Sequence, residues 1–204
     1  MIGIVDYGVG NSRAFANVYR HLNLRVAIVS TPDELRRAEK LILPGVGAFD
    51  WAMTRLNESG LRDVLEELVM RERRPVLGVC VGMQMMADRS AEGVLEGLGW
   101  IRGEVKRFDD STFNQATHLP HMGWNDVRPE GKDNLFRDLE EGARFYFLHS
   151  YYLAPDNEDH VLATTDYGGS FAASVRCGNV CGVQFHPEKS HHWGIQLLRN
   201  FAEM

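Results

Sequence analysis

Three cysteines in 204 residues are too few, and of the wrong parity, to staple a fold through disulfides. They fit a reducing compartment, and no basic stretch precedes the brief apolar segment 1–6, so no secretory signal is expected and the chain reads as cytoplasmic. Long hydrophobic runs are missing, which excludes a membrane-spanning helix. Positive charge is scarce: 22 Lys and Arg against 28 Asp and Glu leave a net charge of −6, the opposite of what a nucleic-acid-binding face needs. No repeat, low-complexity tract or flexible linker interrupts the sequence. Its hydrophobic fraction of 44% and charged fraction of 25% are those of an ordinary globular protein, read as one domain over residues 1–204.

What is present is a change of pattern at mid-chain. The first half alternates short apolar runs (2–5, 25–29, 40–43 and 76–79) with amphipathic stretches (12–22, 32–38, 48–56 and 60–72). Repeated β-then-α of this kind predicts an α/β fold, a central mostly parallel sheet flanked by helices. The second half predicts an additional antiparallel β region, with strands over 100–108, 119–127, 144–149, 160–165, 171–176 and 180–185, then a helix over 193–201. In open parallel sheets reactive groups gather beyond the carboxyl ends of the strands, where Gly8, Gly45, Gly47 and Cys80 all fall.

The most informative stretch is Pro75-Val-Leu-Gly-Val-Cys-Val-Gly-Met-Gln84. A strand runs into Gly78-x-Cys80-x-Gly82 and then into a helical run over 83–89, the shape of a nucleophile elbow that lifts one side chain clear of the sheet. The flanking residues must be small, the nucleophile is held in strained backbone geometry, and the helix dipole favours thiolate over thiol. A buried structural cysteine on a core strand is the competing reading.

A thiol nucleophile needs a base, and the base an orienting group. In Val183-Gln-Phe-His186-Pro-Glu188-Lys the histidine ends an apolar strand and the carboxylate lies two residues on, where an extended segment points both the same way. Pro44-Gly45-Val46-Gly47 after another strand is either an ordinary tight turn or an oxyanion hole of backbone N–H groups. Gly8-Val-Gly10 resembles a dinucleotide fingerprint but has Arg13 where the third glycine belongs. Cys177 and Cys181 with His191 and His192 lack a second compact ligand pair, so neither metal nor cofactor is expected.

Gly78-Val-Cys-Val-Gly-Met-Gln84 together with Gly182-Val-Gln-Phe-His-Pro-Glu188 resembles the class I, triad-type glutamine amidotransferases. Asp6-Tyr-Gly-Val-Gly-Asn11, Leu43-Pro-Gly-Val-Gly47, Leu119-Pro-His-Met-Gly-Trp-Asn125, Tyr146-Phe-Leu-His-Ser-Tyr151 and His186-Pro-Glu-Lys-Ser190 narrow the resemblance to the glutaminase subunits of imidazole glycerol phosphate synthase. The resemblance implies that Cys80 attacks the glutamine side-chain amide, with His186 as base and Glu188 holding the imidazole. It implies an oxyanion hole of backbone N–H groups at Val46, Gly47 and Val81. Glutamine would be bound around Gly47, Gln84, His149, Ser150 and Tyr151. Ammonia would pass to a (β/α)8-barrel cyclase partner that meets the chain near Asn11, Trp124 and Lys189, and the free subunit would be nearly silent.

Segments 11–14, 109–118 and 190–193 depart from the histidine-pathway form. They resemble homologues that send ammonia through a barrel partner to an amidotransferase acting on a nucleotide-linked sugar, so the acceptor stays open. A cysteine peptidase and a non-catalytic subunit are the remaining classes. The first is opposed by Gln84 and the His-Pro-Glu block, the second by the presence of Cys80, His186 and Glu188 together.

Overall fold

In the computed structural model, which describes residues 1–113 and 117–204, the apolar runs of the first half become neighbouring strands of one sheet. Strands β1 (Ile2–Val5), β2 (Val26–Val29), β3 (Lys40–Gly45) and β4 (Val76–Cys80) pair in parallel, β1 between β2 and β3, and β3 beside β4. Every residue of β1 and β4 is buried, as strands covered on both faces require. The covering helices are α1 (Ser12–His21), α2 (Pro32–Arg36), α3 (Phe49–Glu58) and α4 (Arg62–Glu66), the last continuing as a π-helical turn over Glu67–Arg71. Asn11 starts α1 by accepting from Ala14 N, and Phe15 and Tyr19, one turn apart, bury against the sheet side of the helix. Thr31 and Glu34 close a reciprocal cap on α2.

The helical run expected over 83–89 is shorter than its sequence pattern. Helix α5 (Val81–Gln84) is a single turn, and residues 89–90 already form strand β5 (Arg89–Ser90). The cause is tertiary: the carbonyls that would continue the helix are taken by a returning segment, Leu98 N donating to Met85 O, Ile101 N to Met86 O and Gly99 N to Ala87 O. The same contacts delay the strand expected from residue 100, so that β6 spans Gly103–Arg107.

The second half adds β7 (His121–Asp126), β8 (Arg128–Pro129), β9 (Arg144–His149), β10 (Tyr151–Pro155), β11 (Val161–Asp166), β12 (Ser170–Cys177), β13 (Val180–Val183) and helix α6 (His191–Glu203). The main sheet runs β2-β1-β3-β4-β13-β12-β11-β8, with β13 parallel to β4 and the last three strands antiparallel. Two small sheets, β10-β6-β5 and β7-β9, lie apart from it. Of the divergent segment 109–118, Asp110–Thr112 forms a 3-10 turn, and residues 114–116 lie outside the described residues. Among the described residues no helix is long and apolar enough to cross a membrane.

This topology sets β3, β4 and β13 side by side, with Gly45 in register with Cys80 and Val183 with Val79. The junction is tight. A Cβ on Gly82 would sit 2.0 Å from the Leu43 carbonyl oxygen, a backbone atom that cannot swing away. Gly82→Ala is therefore expected to destabilise the protein by about 3 kcal/mol, read as a drop in the urea midpoint. An unchanged midpoint would mean that the junction relaxes freely.

Candidate active site

Cys80 ends β4 with φ 55° and ψ −114°, a left-handed conformation that costs a non-glycine residue about 1–3 kcal/mol. Its two flanking glycines explain how the turn closes: a Cβ on Gly78 would meet the Gly82 carbonyl at 2.7 Å, so neither position has room for a side chain. The sharp turn expected from the sequence is present. The helix behind it is one turn long, however, and carries little of the macrodipole expected to favour thiolate.

The next strand over supplies the imidazole. His186 follows β13, is buried, and is fixed through its backbone: its N–H donates to Tyr146 O at 2.8 Å, and its carbonyl accepts from Ser190 Oγ at 2.6 Å. A 3-10 turn over Pro187–Lys189 brings Glu188 Oε1 within 2.9 Å of His186 Nδ1. Both side chains are under 10% exposed. Burial by itself would lower the imidazole pKa. The nearby Cys80 and the Glu188 carboxylate bonded at Nδ1 favour the charged imidazole, outweigh burial and raise the group to about 10. With Nδ1 engaged by Glu188, Nε2 is the nitrogen left for the thiol.

Cys80 and His186 line an open cavity of about 320 Å³, shared with Val46, Gly47, Val81, Gln84, His149, Ser150, Tyr151 and Lys189. Every residue singled out for nucleophile, base, oxyanion and glutamine contacts therefore meets there, except Glu188, which stands behind His186. Gly47 adopts φ +85° beside the exposed Val46. Asn11 opens onto an adjoining cavity of about 230 Å³ with Pro44, Val46, Glu188 and Lys189. Trp124 lies on β7, half-exposed and stacked on His191 at 5.2 Å.

Two of the glutamine-binding candidates have commitments that restrict what they can offer. Gln84 Nε2 donates to Tyr151 O at 2.9 Å and to Gln184 Oε1 at 3.1 Å, so only its carbonyl oxygen remains for a ligand. His149 uses both ring nitrogens. Nδ1 must donate to Tyr151 O (2.8 Å), which leaves Nε2 to accept from His121 Nδ1 (3.0 Å). His121 Nε2 then accepts from Asn125 Nδ2 at 3.2 Å, and the second Asn125 hydrogen goes to Asp166 O at 2.8 Å. One carbonyl thus sets the tautomers of two buried histidines, neither of which was assigned a structural task from the sequence.

Burial holds both neutral, lowering His121 to about 4 and His149 to about 3 from an ordinary value of 6.5. A histidine depressed in the fold contributes stability in full above 6.5, and loses it as pH falls from there toward the folded value. His186, raised in the fold, has the opposite sign: its contribution is full below 6.5 and is lost as pH rises through about 10. Two groups against one predict a net loss of about 2–4 kcal/mol between pH 7 and pH 5, read from urea midpoints. A flat profile over that range would contradict the neutral histidine pair.

The sulfur has two further neighbours, Leu148 O at 4.0 Å and Gln184 Nε2 at 3.8 Å. Gln184 went unassigned in the sequence, although a polar residue two positions before His186 on an apolar strand shares that histidine's face. Cys181 is buried, which pushes its thiol up to about 12, and Cys177 is half-buried. Among the described residues no cluster of three or more His, Cys, Asp or Glu side chains could hold a metal. The arrangement of thiol, imidazole, carboxylate and glycine-rich turn is one for acyl transfer through a thioester.

The sequence profile described as glutamine amidotransferase class-I matches residues 3–204. The chain is 56% identical to the imidazole glycerol phosphate synthase subunit HisH of Bdellovibrio bacteriovorus and 54% identical to that of Leptospira interrogans, over the whole of each pair. It is 47% identical, again over the whole of both chains, to the imidazole glycerol phosphate synthase subunit HisH 2 of Pseudomonas aeruginosa. Among solved structures, one described as a glutamine amidotransferase superposes with a TM-score of 0.76 at 22% identity, covering 99% of this chain and 97% of the other. The structure of PurLQS from Thermotoga maritima follows with 0.72 at 19% identity, covering 99% and 97%. At these identities the structural matches speak for the fold alone.

Proposed function

The chain belongs to the class-I glutamine amidotransferases, and from that premise we propose that it is the glutaminase subunit of an imidazole glycerol phosphate synthase, acting in the cytoplasm in histidine biosynthesis. It hydrolyses L-glutamine to glutamate and ammonia. Cys80 Sγ, its proton already held by His186, attacks the side-chain amide carbon. The C–N bond then breaks as His186 passes that proton to the departing ammonia, and water hydrolyses the γ-glutamyl thioester. Glu188 holds the imidazole in the tautomer this needs. Backbone N–H groups of Val46, Gly47 and Val81 stabilise the oxyanion. Gly47, Gln84, His149, Ser150 and Tyr151 bind the glutamine, with Gln84 accepting a hydrogen bond and His149 acting through the Tyr151 carbonyl it holds.

The observation that carries this reading is the pairing of a strained Cys80 at the end of β4 with the buried His186–Glu188 couple at the end of the adjacent β13. The partner is a (β/α)8-barrel cyclase in a heterodimer, which uses the ammonia to form imidazole glycerol phosphate and 5-aminoimidazole-4-carboxamide ribonucleotide. The exposed apolar side chains of Val46, Met122, Trp124 and Leu148, on the turn and strands around the cavity mouth, support a docking face there, with Asn11 and Lys189 beside it. The names of the relatives favour this destination over a sugar-linked one.

The test is glutamate release from glutamine, alone and with a histidine-pathway cyclase plus its nucleotide substrate. Low basal release that rises strongly with the pair is the expected result. Basal release that the pair leaves unchanged would keep the glutaminase and reject the cyclase as its partner.

A further inference from the structure

The amide orientation of a buried glutamine is ordinarily ambiguous, because its nitrogen and oxygen look alike. Gln184 escapes that ambiguity. A backbone carbonyl can only accept, so the Gln84 atom 2.9 Å from Tyr151 O is its nitrogen. That same nitrogen lies 3.1 Å from the Gln184 amide, so the Gln184 atom it meets is an acceptor, Oε1. The other end of the amide is then the NH2 group, and it lies 3.8 Å from Cys80 Sγ. Gln184 is fully buried and Gln84 nearly so.

We propose that Gln184 is a further catalytic residue, whose side-chain N–H donates to the Cys80 sulfur and is locked in that orientation by Gln84 and the Tyr151 carbonyl. The inference rests on the reading of Cys80 as nucleophile and adds a donor to it. A neutral thiol is a weak acceptor, and an anionic sulfur a strong one. The Gln184 bond is therefore strong while His186 holds the thiol proton, weakens in the thioester, and strengthens again when the thioester collapses and sulfur leaves as an anion. It requires no reorganisation, since both glutamine amides are fixed before reaction. His186 and Gln184 approach the sulfur from residues two apart on the same segment, one exchanging its proton and the other meeting its charge. The Leu148 carbonyl at 4.0 Å does the reverse: it can accept only from the neutral thiol.

The experiment alkylates the full-length free chain with iodoacetamide at pH 7 and follows each cysteine by mass spectrometry. In the reaction the sulfur, its proton held by His186, displaces iodide to form an S–C bond, so its rate reads the nucleophilicity of the sulfur without glutamine or partner. Half-buried Cys177 is the internal reference. In Gln184→Met, which keeps size and loses the donor, Cys80 alkylation is expected to fall about tenfold relative to Cys177. In Gln184→Glu, nearly isosteric and presenting acceptors to the sulfur, it falls further. Gln84→Met, which frees the Gln184 amide to turn, gives a smaller drop.

The sign separates this from a packing role. Loosening the elbow would expose Cys80 to the reagent and speed its reaction. A Cys80 rate equal to or above wild type in both Gln184 variants overturns the proposal and leaves the nucleophile reading intact, as does wild-type behaviour of Gln184→Glu alone. If Cys80 in the wild-type chain reacts no faster than Cys177, the nucleophile reading itself falls and this inference with it.

Discussion

In Cys80→Ala, glutamate release in the presence of the cyclase partner is expected to drop by about 10⁴- to 10⁶-fold, the loss seen when an acyl-transfer triad is deprived of its nucleophile. Among the described residues no second thiol lines the cavity: Cys177 and Cys181 sit at the far end of the β12–β13 hairpin, where Val180 pairs with the opposite end of β4 from Cys80. The fold should survive. Alanine inherits the positive φ and removes one buried sulfur, so the urea midpoint moves little compared with the Gly82→Ala change at the same turn. Turnover within tenfold of wild type would remove Cys80 from the reaction.

The second large effect is expected at His186, and its size relative to Glu188 is the informative part. His186→Ala deletes the group proposed both to hold the thiol proton and to deliver it to the leaving nitrogen, and should approach the loss of Cys80→Ala. Glu188→Ala leaves the imidazole in place, held by the backbone bonds to Tyr146 and Ser190, and costs it only the 2.9 Å partner at Nδ1. Water admitted to the vacated carboxylate site can partly replace that partner. The Glu188 loss should therefore be one to two orders of magnitude smaller than that of His186, in line with orienting carboxylates elsewhere. Equal losses in kcat would show that Glu188 does more than orient.

The elbow was legible because its requirements are local. A strand of buried residues, a cysteine in a sharp turn and two positions with no room for a Cβ leave a written trace in Gly78-x-Cys80-x-Gly82, and the fold supplies the distances. The His186–Glu188 couple was legible for the same reason, since two residues separated by a proline meet through short-range geometry. The one-turn α5 was not. Its sequence is compatible with several turns, and what ends it is three hydrogen bonds from residues 98–101, a segment whose position follows from the small β10-β6-β5 sheet.

By itself the sequence determined the α/β alternation, the sharp turn at Cys80 and which residues gather around the cavity, because apolar periodicity, glycine placement and short motifs act within a few residues of one another. Only the tertiary structure decided how the polar groups behind them are satisfied. Gln84 meets Gln184 across 100 positions of chain, and His121 meets His149 across 28. A buried donor or acceptor must find a partner, but nothing in the local sequence says which. That choice fixed the tautomers of two histidines, reduced Gln84 to an acceptor, and turned Gln184 from an unremarked strand residue into a donor facing the Cys80 sulfur.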